Sequence, residues 1–289
     1  MNYAWHLVFM YAIMVLLTMS LDLFVGHLGI LSLCHAAFWG CGAYTAGILM
    51  VKVGVGFPFA FAASVVLTLI FSQAIALAAI RLRGDAVILA SLAVVMAIGE
   101  FWKNWRGLTG GLDGLVGVPQ PSWGAFVVES PAMQALQAAV VVVLSTIAVM
   151  RLFRTPLMRS FHAFRDDALS AIGFGLPPLP TVARAAAVSG MIAGGAGALY
   201  ACYASYINPT VFSVSASIMV LVMVLLGGAG SKTGPWLGAL ALTALPEVVR
   251  LSGMNSSDVG SFYQMVLGLC LILVAAVRPR GLVKGYVFK

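Results

Sequence analysis

Charged residues are scarce in this chain, and that scarcity limits what the protein can be. Only 9% of its 289 residues are Asp, Glu, Lys or Arg, whereas 62% are hydrophobic, and the mean hydropathy is +1.04. In water, a domain of this composition would expose far more apolar surface than a monomer tolerates. The composition therefore predicts an integral membrane protein, all α-helical, with a single domain over residues 1–289.

The sequence also lacks the residue groupings that enzymes use. It contains no paired carboxylates and no Ser, His and Asp set, and its four histidines and four cysteines have no metal-ligand spacing. The stretch from Gly230 to Thr233 resembles a nucleotide-binding loop, but Ser231 replaces the second glycine of that motif and no strand precedes it. We therefore expect no catalytic residue, no metal, no cofactor and no ATPase site in this chain.

Apolar segments separated by short loops predict about nine membrane-spanning helices. The predicted spans are Trp5–Phe24, Leu28–Met50, Phe57–Ile80, Ala86–Trp102, Ala132–Met150, Val182–Tyr206, Phe212–Leu226, Trp236–Val249 and Phe262–Val277. The second segment is rich in glycine, which favours either close helix contact or a break in the helix, so counts of eight to ten are compatible with the pattern. No basic region precedes the first segment, and we interpret it as a retained membrane helix.

The basic residues indicate an orientation. Two arginines lie at 81–83, five between 151 and 184 and four Lys or Arg after 277, which makes eleven of the sixteen Lys and Arg residues. Alternating through nine spans places all three groups on one side, which the positive-inside rule makes cytoplasmic. We expect a cytoplasmic C-terminus and an external N-terminus. Because these residues are spread over short loops, the net charge of +7 indicates contact with lipid rather than nucleic acid.

Residues 151–184 form the longest interruption of the apolar pattern. On a helix, one narrow stripe is apolar and the opposite side is polar. The stripe consists of Leu157, Phe161, Phe164, Ala168 and Ile172, and the polar side of Arg159, His162, Asp166, Asp167 and Ser170. Gly175 and the prolines after it end the helix.

This amphipathic stretch has two interpretations. Such a helix can rest in the lipid interface, which is the commoner case. Asp166 and Asp167 would be repelled by anionic headgroups, however, and a mixture of both charges suits a protein partner better. We favour the protein partner, with Arg165 and Asp166 facing it.

Two acidic residues near predicted span ends also allow two interpretations. Glu100 and Glu247 each have a basic residue three positions later, Lys103 and Arg250, which predicts interfacial ion pairs of little energetic weight. Alternatively, both acids, with Asn104, line an outer vestibule of a transport path.

Glycines in the second predicted span are expected to be points of close helix contact. Gly40 and Gly42 are the candidates beside that path, and leucine at Gly42 should be less tolerated than leucine at Gly54, which is expected in a loop.

Six motifs in order resemble one known family, the permease subunits of ATP-binding-cassette importers for branched-chain amino acids. They occupy residues 26–44, 81–85, 104–114, 195–200, 226–238 and 278–282. Two departures are Ala168, where an acidic residue is usual, and Cys34, where glycine is common.

The resemblance implies a transport subunit rather than an enzyme. It implies that separate ATPase subunits dock on residues 157–175, within a cytoplasmic coupling loop at 151–184. The coupling residues would be Arg159, Phe161, Phe164, Arg165, Asp166, Asp167 and Gly175. It also implies a second homologous permease subunit, with a heterodimer expected, and an external substrate-binding protein.

The substrate remains open at this level, because related permeases serve urea, short amides and other amino acids. The alternative class is a stand-alone secondary transporter or channel. That class needs ionisable residues at the bilayer midplane, whereas the acids of this sequence cluster near span ends.

Overall fold

The fold is a bundle of long apolar helices. The computed structural model describes residues 2–82, 84–124, 126–251, 262, 265–266, 268–269, 272, 281–283 and 285. Its helices are α1 Asn2–Asp22, α2 His35–Ile48, α3 Phe57–Arg81, α4 Asp85–Asn104, α5 Arg106–Thr109, α6 Pro131–Leu152, α7 Pro156–Asp166, α8 Ala168–Gly173, α9 Pro178–Ala204, α10 Val214–Gly227 and α11 Gly234–Leu251. The prediction of a polytopic helical membrane protein is confirmed.

Six helices in the described part of the chain are long and apolar enough to cross a membrane. They are Tyr3–His27, His35–Val53, Phe57–Arg81, Asp85–Asn104, Pro131–Leu152 and Pro178–Ala204. The seventh predicted span corresponds to α10, which has only 14 residues, and the eighth to α11. The ninth, Phe262–Val277, lies mostly outside the described residues.

The first two predicted spans are separated by a stretch without helix. α1 continues through one π-helical turn, Leu23–His27, and α2 begins only at His35. The expectation that the second span starts at Leu28 is wrong, because Gly29 adopts φ +75°, a left-handed conformation that a helix cannot continue through. We call residues 28–34 the broken segment.

Serine hydroxyls satisfy the backbone where α2 begins. The Leu33 amide donates to Ser91 Oγ of α4 at 2.9 Å, and the Ala36 amide donates to Ser217 Oγ of α10 at 3.1 Å. The Cys34 amide donates to Ser32 Oγ at 3.4 Å. The first amides of a helix have no partner within it, and these hydroxyls provide one inside the bundle.

α9 is the central helix and packs along α2 and α3. Small residues permit this approach: a Cβ atom on Gly42 would lie 2.6 Å from Cα of Gly194, and one on Gly197 would lie 2.6 Å from the amide nitrogen of Ala43. Contacts this short leave no space for a methyl group, so the helix backbones touch directly.

The two ends of the bundle can be distinguished by what α1 contacts. At one end, the Tyr3 hydroxyl donates to Glu247 of α11, and His6 Nδ1 lies 2.8 Å from the Tyr203 hydroxyl of α9. At the other end, Asp22 accepts a hydrogen bond from the Gly230 amide, between α10 and α11. We call these the Tyr3 end and the α7 end, since α7 packs beside the π-helical turn of α1.

Short extended and 3-10 segments complete the fold. Leu115–Val116 pairs antiparallel with Tyr206–Ile207, and Ser122–Trp123 pairs with Phe126–Val127. The 3-10 turns are Gly111–Asp113 and Pro209–Phe212. At the α7 end, the amide of Leu282 donates to the Leu226 carbonyl of α10 at 2.8 Å, which brings these late residues to the same end as α7.

The close approach at Gly42 gives a first prediction. Gly42→Ala should lower the free energy of unfolding by about 1–3 kcal/mol, because the methyl group overlaps α9 backbone. The measurement is the thermal midpoint of the detergent-solubilised protein.

The matched control is Gly99→Ala. Gly99 is also helical, but a Cβ there meets nothing within 4 Å, so the free energy of unfolding should change by at most about 1 kcal/mol. Gly54 is unsuitable as a control because its φ of +73° would strain any other residue. Equal midpoints for the Gly42 and Gly99 variants would contradict the packing argument.

Candidate functional site

The amphipathic stretch is two helices rather than one. Asp167 interrupts it with φ −158° and ψ 106°, and its carboxylate accepts hydrogen bonds from the amides of Leu169 and Ser170 at 2.9 and 3.2 Å. The Ser170 hydroxyl also donates to this carboxylate and, with the amide bonds, holds the pKa of Asp167 below its usual value. Asp167 therefore caps α8, and the expectation of one continuous helix is wrong.

The buried stripe also differs from the predicted one. Met158, Phe161, Phe164 and Ala171 are buried, whereas Ala168 and Ile172 are exposed. The cap at Asp167 rotates α8 relative to α7, so a single helical stripe no longer applies. Leu169 and Phe174 are exposed too, at 68% and 88%, and Gly175 adopts φ +83° at the end of α8.

The side chain of Arg165 points into the protein. Its Nη1 donates to the Gly26 carbonyl at 2.9 Å, its Nε lies 3.2 Å from Asp166 Oδ1, and only 14% of the side chain is exposed. The prediction that it faces outward with Asp166 is therefore wrong for Arg165. Asp166 is exposed, as is Arg159. Arg165 instead satisfies a carbonyl at the last turn of α1, which an uncapped helix end would leave without a partner.

A second link joins α7 to α1 through two histidines. Asp22 Oδ1 accepts from the Gly230 amide at 2.7 Å, and Asp22 Oδ2 lies 3.4 Å from His27 Nε2. His27 Nδ1 lies 3.0 Å from Nε2 of His162 on α7. Asp22 and His27 are 3% and 2% exposed, so this chain of polar groups is inside the protein.

One assignment of protons is consistent with both histidine contacts. His27 Nε2 carries a proton directed at the Asp22 carboxylate, which leaves His27 Nδ1 as an acceptor. His162 Nε2 then donates to it. Burial, together with the nearby His27 and Arg165, holds the pKa of His162 below its ordinary value.

The sequence pattern does not group His27 with Asp22. The two are five positions apart, which is the repeat of a π-helix and not of an α-helix. On an α-helix of 3.6 residues per turn the two side chains would lie on different faces, so the sequence pattern carries no signal for this pair.

The acidic residues at the Tyr3 end have different surroundings. Lys103 Nζ lies 2.8 Å from Glu100 Oε1, so the predicted ion pair is present, and Asn104 Nδ2 donates to the Glu100 carbonyl at 2.8 Å. Glu247 accepts from the Tyr3 hydroxyl. The side chain of Arg250, its predicted partner, lies outside the described residues.

Gly40 faces a cluster of aromatic rings. A Cβ on Gly40 would lie 2.6 Å from Cζ3 of Trp102 and 2.7 Å from Cγ of Phe212. Trp102 stacks on Tyr44 with ring centroids 4.9 Å apart. Among the described residues, no group of three or more His, Cys, Asp or Glu side chains could hold a metal ion.

Comparison with known proteins identifies the kind of protein that carries this site. A family model described as the permease component of the branched-chain amino acid transport system matches residues 3–275. The chain belongs to that family of permeases. No solved structure matches it.

Two curated relatives resemble this permease over 293 aligned residues. Both are named high-affinity branched-chain amino acid transport system permease protein LivM. The one from Salmonella typhimurium is 29% identical and the one from Escherichia coli 28%, and each alignment covers 93% of this chain and 67% of the relative. The permease is thus a transport subunit and a multi-pass membrane protein. The polar groups Asp22, His27 and His162 lie where its α7 meets the π-helical turn at the end of α1.

The histidine pair gives a prediction about pH. A histidine whose pKa is lowered in the folded protein gains its proton more readily when unfolded, so the stability it contributes is present above its unfolded pKa of about 6.5 and is lost as the pH falls below that value. The thermal midpoint of the permease should therefore drop between about pH 7.5 and about pH 5.5.

His162→Gln is the variant that separates this effect from general acid denaturation. Glutamine can still donate to His27 but has no proton to gain, so the drop in midpoint over the same interval should become smaller. An unchanged drop in the variant would show that His162 is not the group responsible.

Proposed function

We propose that this permease is the membrane subunit of an ATP-binding-cassette importer that moves branched-chain amino acids into the cytoplasm. The observation that carries the proposal is the way α7 is held. Arg165 and His162 attach this helix to the end of α1 at two points, while Arg159, Asp166 and Phe174 remain exposed for a partner.

The mechanical argument follows from these contacts. Closure of two ATPase subunits must be passed to the membrane helices by elements that move as a unit. A push on the exposed face of α7 reaches Gly26 through Arg165 and Asp22 through the histidines. Because the broken segment follows α1 directly, displacement of this end can change the angle between α1 and α2.

The proposed orientation places the α7 end in the cytoplasm. Arg151, Arg154 and Lys232 lie at or near that end, and residues 281–283 pack there on α10. This distribution supports a cytoplasmic C-terminus in the inner membrane. The Tyr3 end, with Glu100, Asn104 and Glu247, would then face the substrate-binding protein.

Two further partners belong to the proposal. The outer faces of α3, α4 and α6 are apolar and exposed, as at Phe59, Leu89 and Leu136. They suit lipid on one side and a second, homologous permease on the other, which we expect to form a heterodimer with this chain. The choice of amino acid would lie mainly with the binding protein, and branched-chain substrates are proposed because the named relatives transport them.

Docking of the ATPase gives a testable prediction. Phe174 is 88% exposed beside α8, and a charge there should disrupt an apolar contact. Phe174→Glu should reduce co-purification of the ATPase subunits at least tenfold in mild detergent. Leu112→Glu is the control, since Leu112 is 62% exposed but lies beyond α4 at the Tyr3 end. Equal recovery of ATPase with both variants would contradict docking on this surface.

Glu100 provides a prediction for the opposite end. Its carboxylate is exposed and, among the described residues, pairs with neighbours on its own helix, so its charge should contribute little to transport. Glu100→Gln should keep uptake of leucine within about twofold of the parent, measured in proteoliposomes with the binding protein supplied. A large loss of uptake with normal assembly would instead make Glu100 part of an entry vestibule.

A further inference from the structure

A cavity of about 500 Å³ lies at the α7 end, between α4 and the rest of the bundle. Four elements contribute its apolar walls: the broken segment, α3, α4 and α9. The side chains are Ile30, Leu31, Ile80, Val87, Ile88 and Val182. Binding pockets for small molecules are usually about 300–1,000 Å³ and mostly apolar, so this cavity has the size and lining of one.

The polar features of the cavity are few and lie at its rim. Asp85, the first residue of α4, is the one ionisable side chain among the described residues that line it. The Asp85 carboxylate beside aliphatic walls complements the ammonium group and the side chain of an aliphatic amino acid.

The cavity is closed towards the Tyr3 end. The Leu33 amide donates to Ser91 Oγ and joins the broken segment to α4 one turn beyond Val87. Further along α4, Trp102 fills the interface, with its ring 4.9 Å from Tyr44 and 5.7 Å from Phe212, centroid to centroid. These contacts separate the cavity from the Tyr3 end of the bundle.

The same cavity touches the helices proposed to receive the ATPase. Phe164 of α7 and Ala168, Leu169 and Ile172 of α8 lie along its edge. Any movement of these helices changes the shape of the cavity directly, without transmission through other elements.

We propose that this cavity is the inner chamber of the transport path and that it holds an aliphatic amino acid, with leucine as the probe. The proposal rests on the proposed function and names the place where that function is carried out inside this chain. Leu33 with Ser91, and the rings around Trp102, form the closed outer side of the chamber.

Filling the chamber is the first test. Ala79 of α3 lines it, and Ala79→Phe should reduce ATP-driven leucine uptake at least tenfold in proteoliposomes that contain the complete importer and its loaded binding protein. Ala74→Phe is the matched control on the same helix, because Ala74 is exposed on its outer face. Uptake by the Ala79 variant equal to that of the Ala74 variant would overturn the proposal.

A second measurement keeps the test decisive if Ala79→Phe fails to assemble, and it does not depend on ATP. Ile88→Cys places a thiol in the chamber wall, and millimolar leucine should slow its reaction with a maleimide at least threefold, with the parent chain giving the background labelling. Glutamate at the same concentration should not slow it. Equal labelling with and without leucine is expected if a lipid chain fills the cavity. That result would overturn the proposal that the cavity binds an amino acid.

The two measurements also separate this proposal from the proposed function. If the parent importer fails to take up leucine but leucine still protects the Ile88→Cys variant, the importer assignment is refuted. The binding of leucine in the cavity is then still supported. Normal uptake by the parent without protection would refute the chamber alone.

Discussion

The structure depends on satisfying backbone polar groups where a membrane helix is interrupted. Inside a bilayer, water is not available to the amides and carbonyls that a helix break exposes, so protein groups must replace it. Ser91 and Ser217 do this for the start of α2, and Arg165 does it for Gly26 at the end of α1. The packing of α4, α10 and α7 around the broken segment follows from these bonds, since each of the three helices contributes one partner.

This arrangement ties the membrane interior to the surface of the permease. An arginine from an amphipathic helix that satisfies a transmembrane carbonyl cannot move without opening a buried hydrogen bond, and such bonds are costly to leave unmade. The link from His162 through His27 to Asp22 adds a second attachment, at the residue after Gly26. Two attachments hold α7 against the end of α1, so it is more than a loose surface segment.

Long apolar runs and glycine-rich segments were readable from the sequence, because length and composition decide them. Phe57–Arg81 and Pro131–Leu152 lie within a few residues of their predicted bounds. The cap at Asp167 was also readable in principle, since an Asp followed three positions later by a hydrogen-bonding Ser170 favours a helix start. The prediction of one continuous helix over this stretch left no place for a cap at Asp167.

The direction of Arg165 and the grouping of Asp22, His27 and His162 were not readable. Arg165 lies on the polar side of α7, and only the position of Gly26, 139 residues earlier, turns it inward. The Asp22 and His27 pair depends on a π-helical turn, which brings side chains five positions apart together. An α-helix with 3.6 residues per turn would separate the same two side chains. Tertiary contacts decide both features.

The bond between Asp22 and Gly230 imposes an order on the biogenesis of the protein. Asp22 leaves the ribosome 208 residues before the amide that it accepts from, and a carboxylate without partners costs several kcal/mol in hydrocarbon. His27 emerges almost together with Asp22 and is its one partner from this network during that interval. We therefore expect the α7 end of α1 to stay near the aqueous interface until the segment between α10 and α11 has been synthesised. The final depth of α1 thus depends on a residue that lies 208 positions later in the chain.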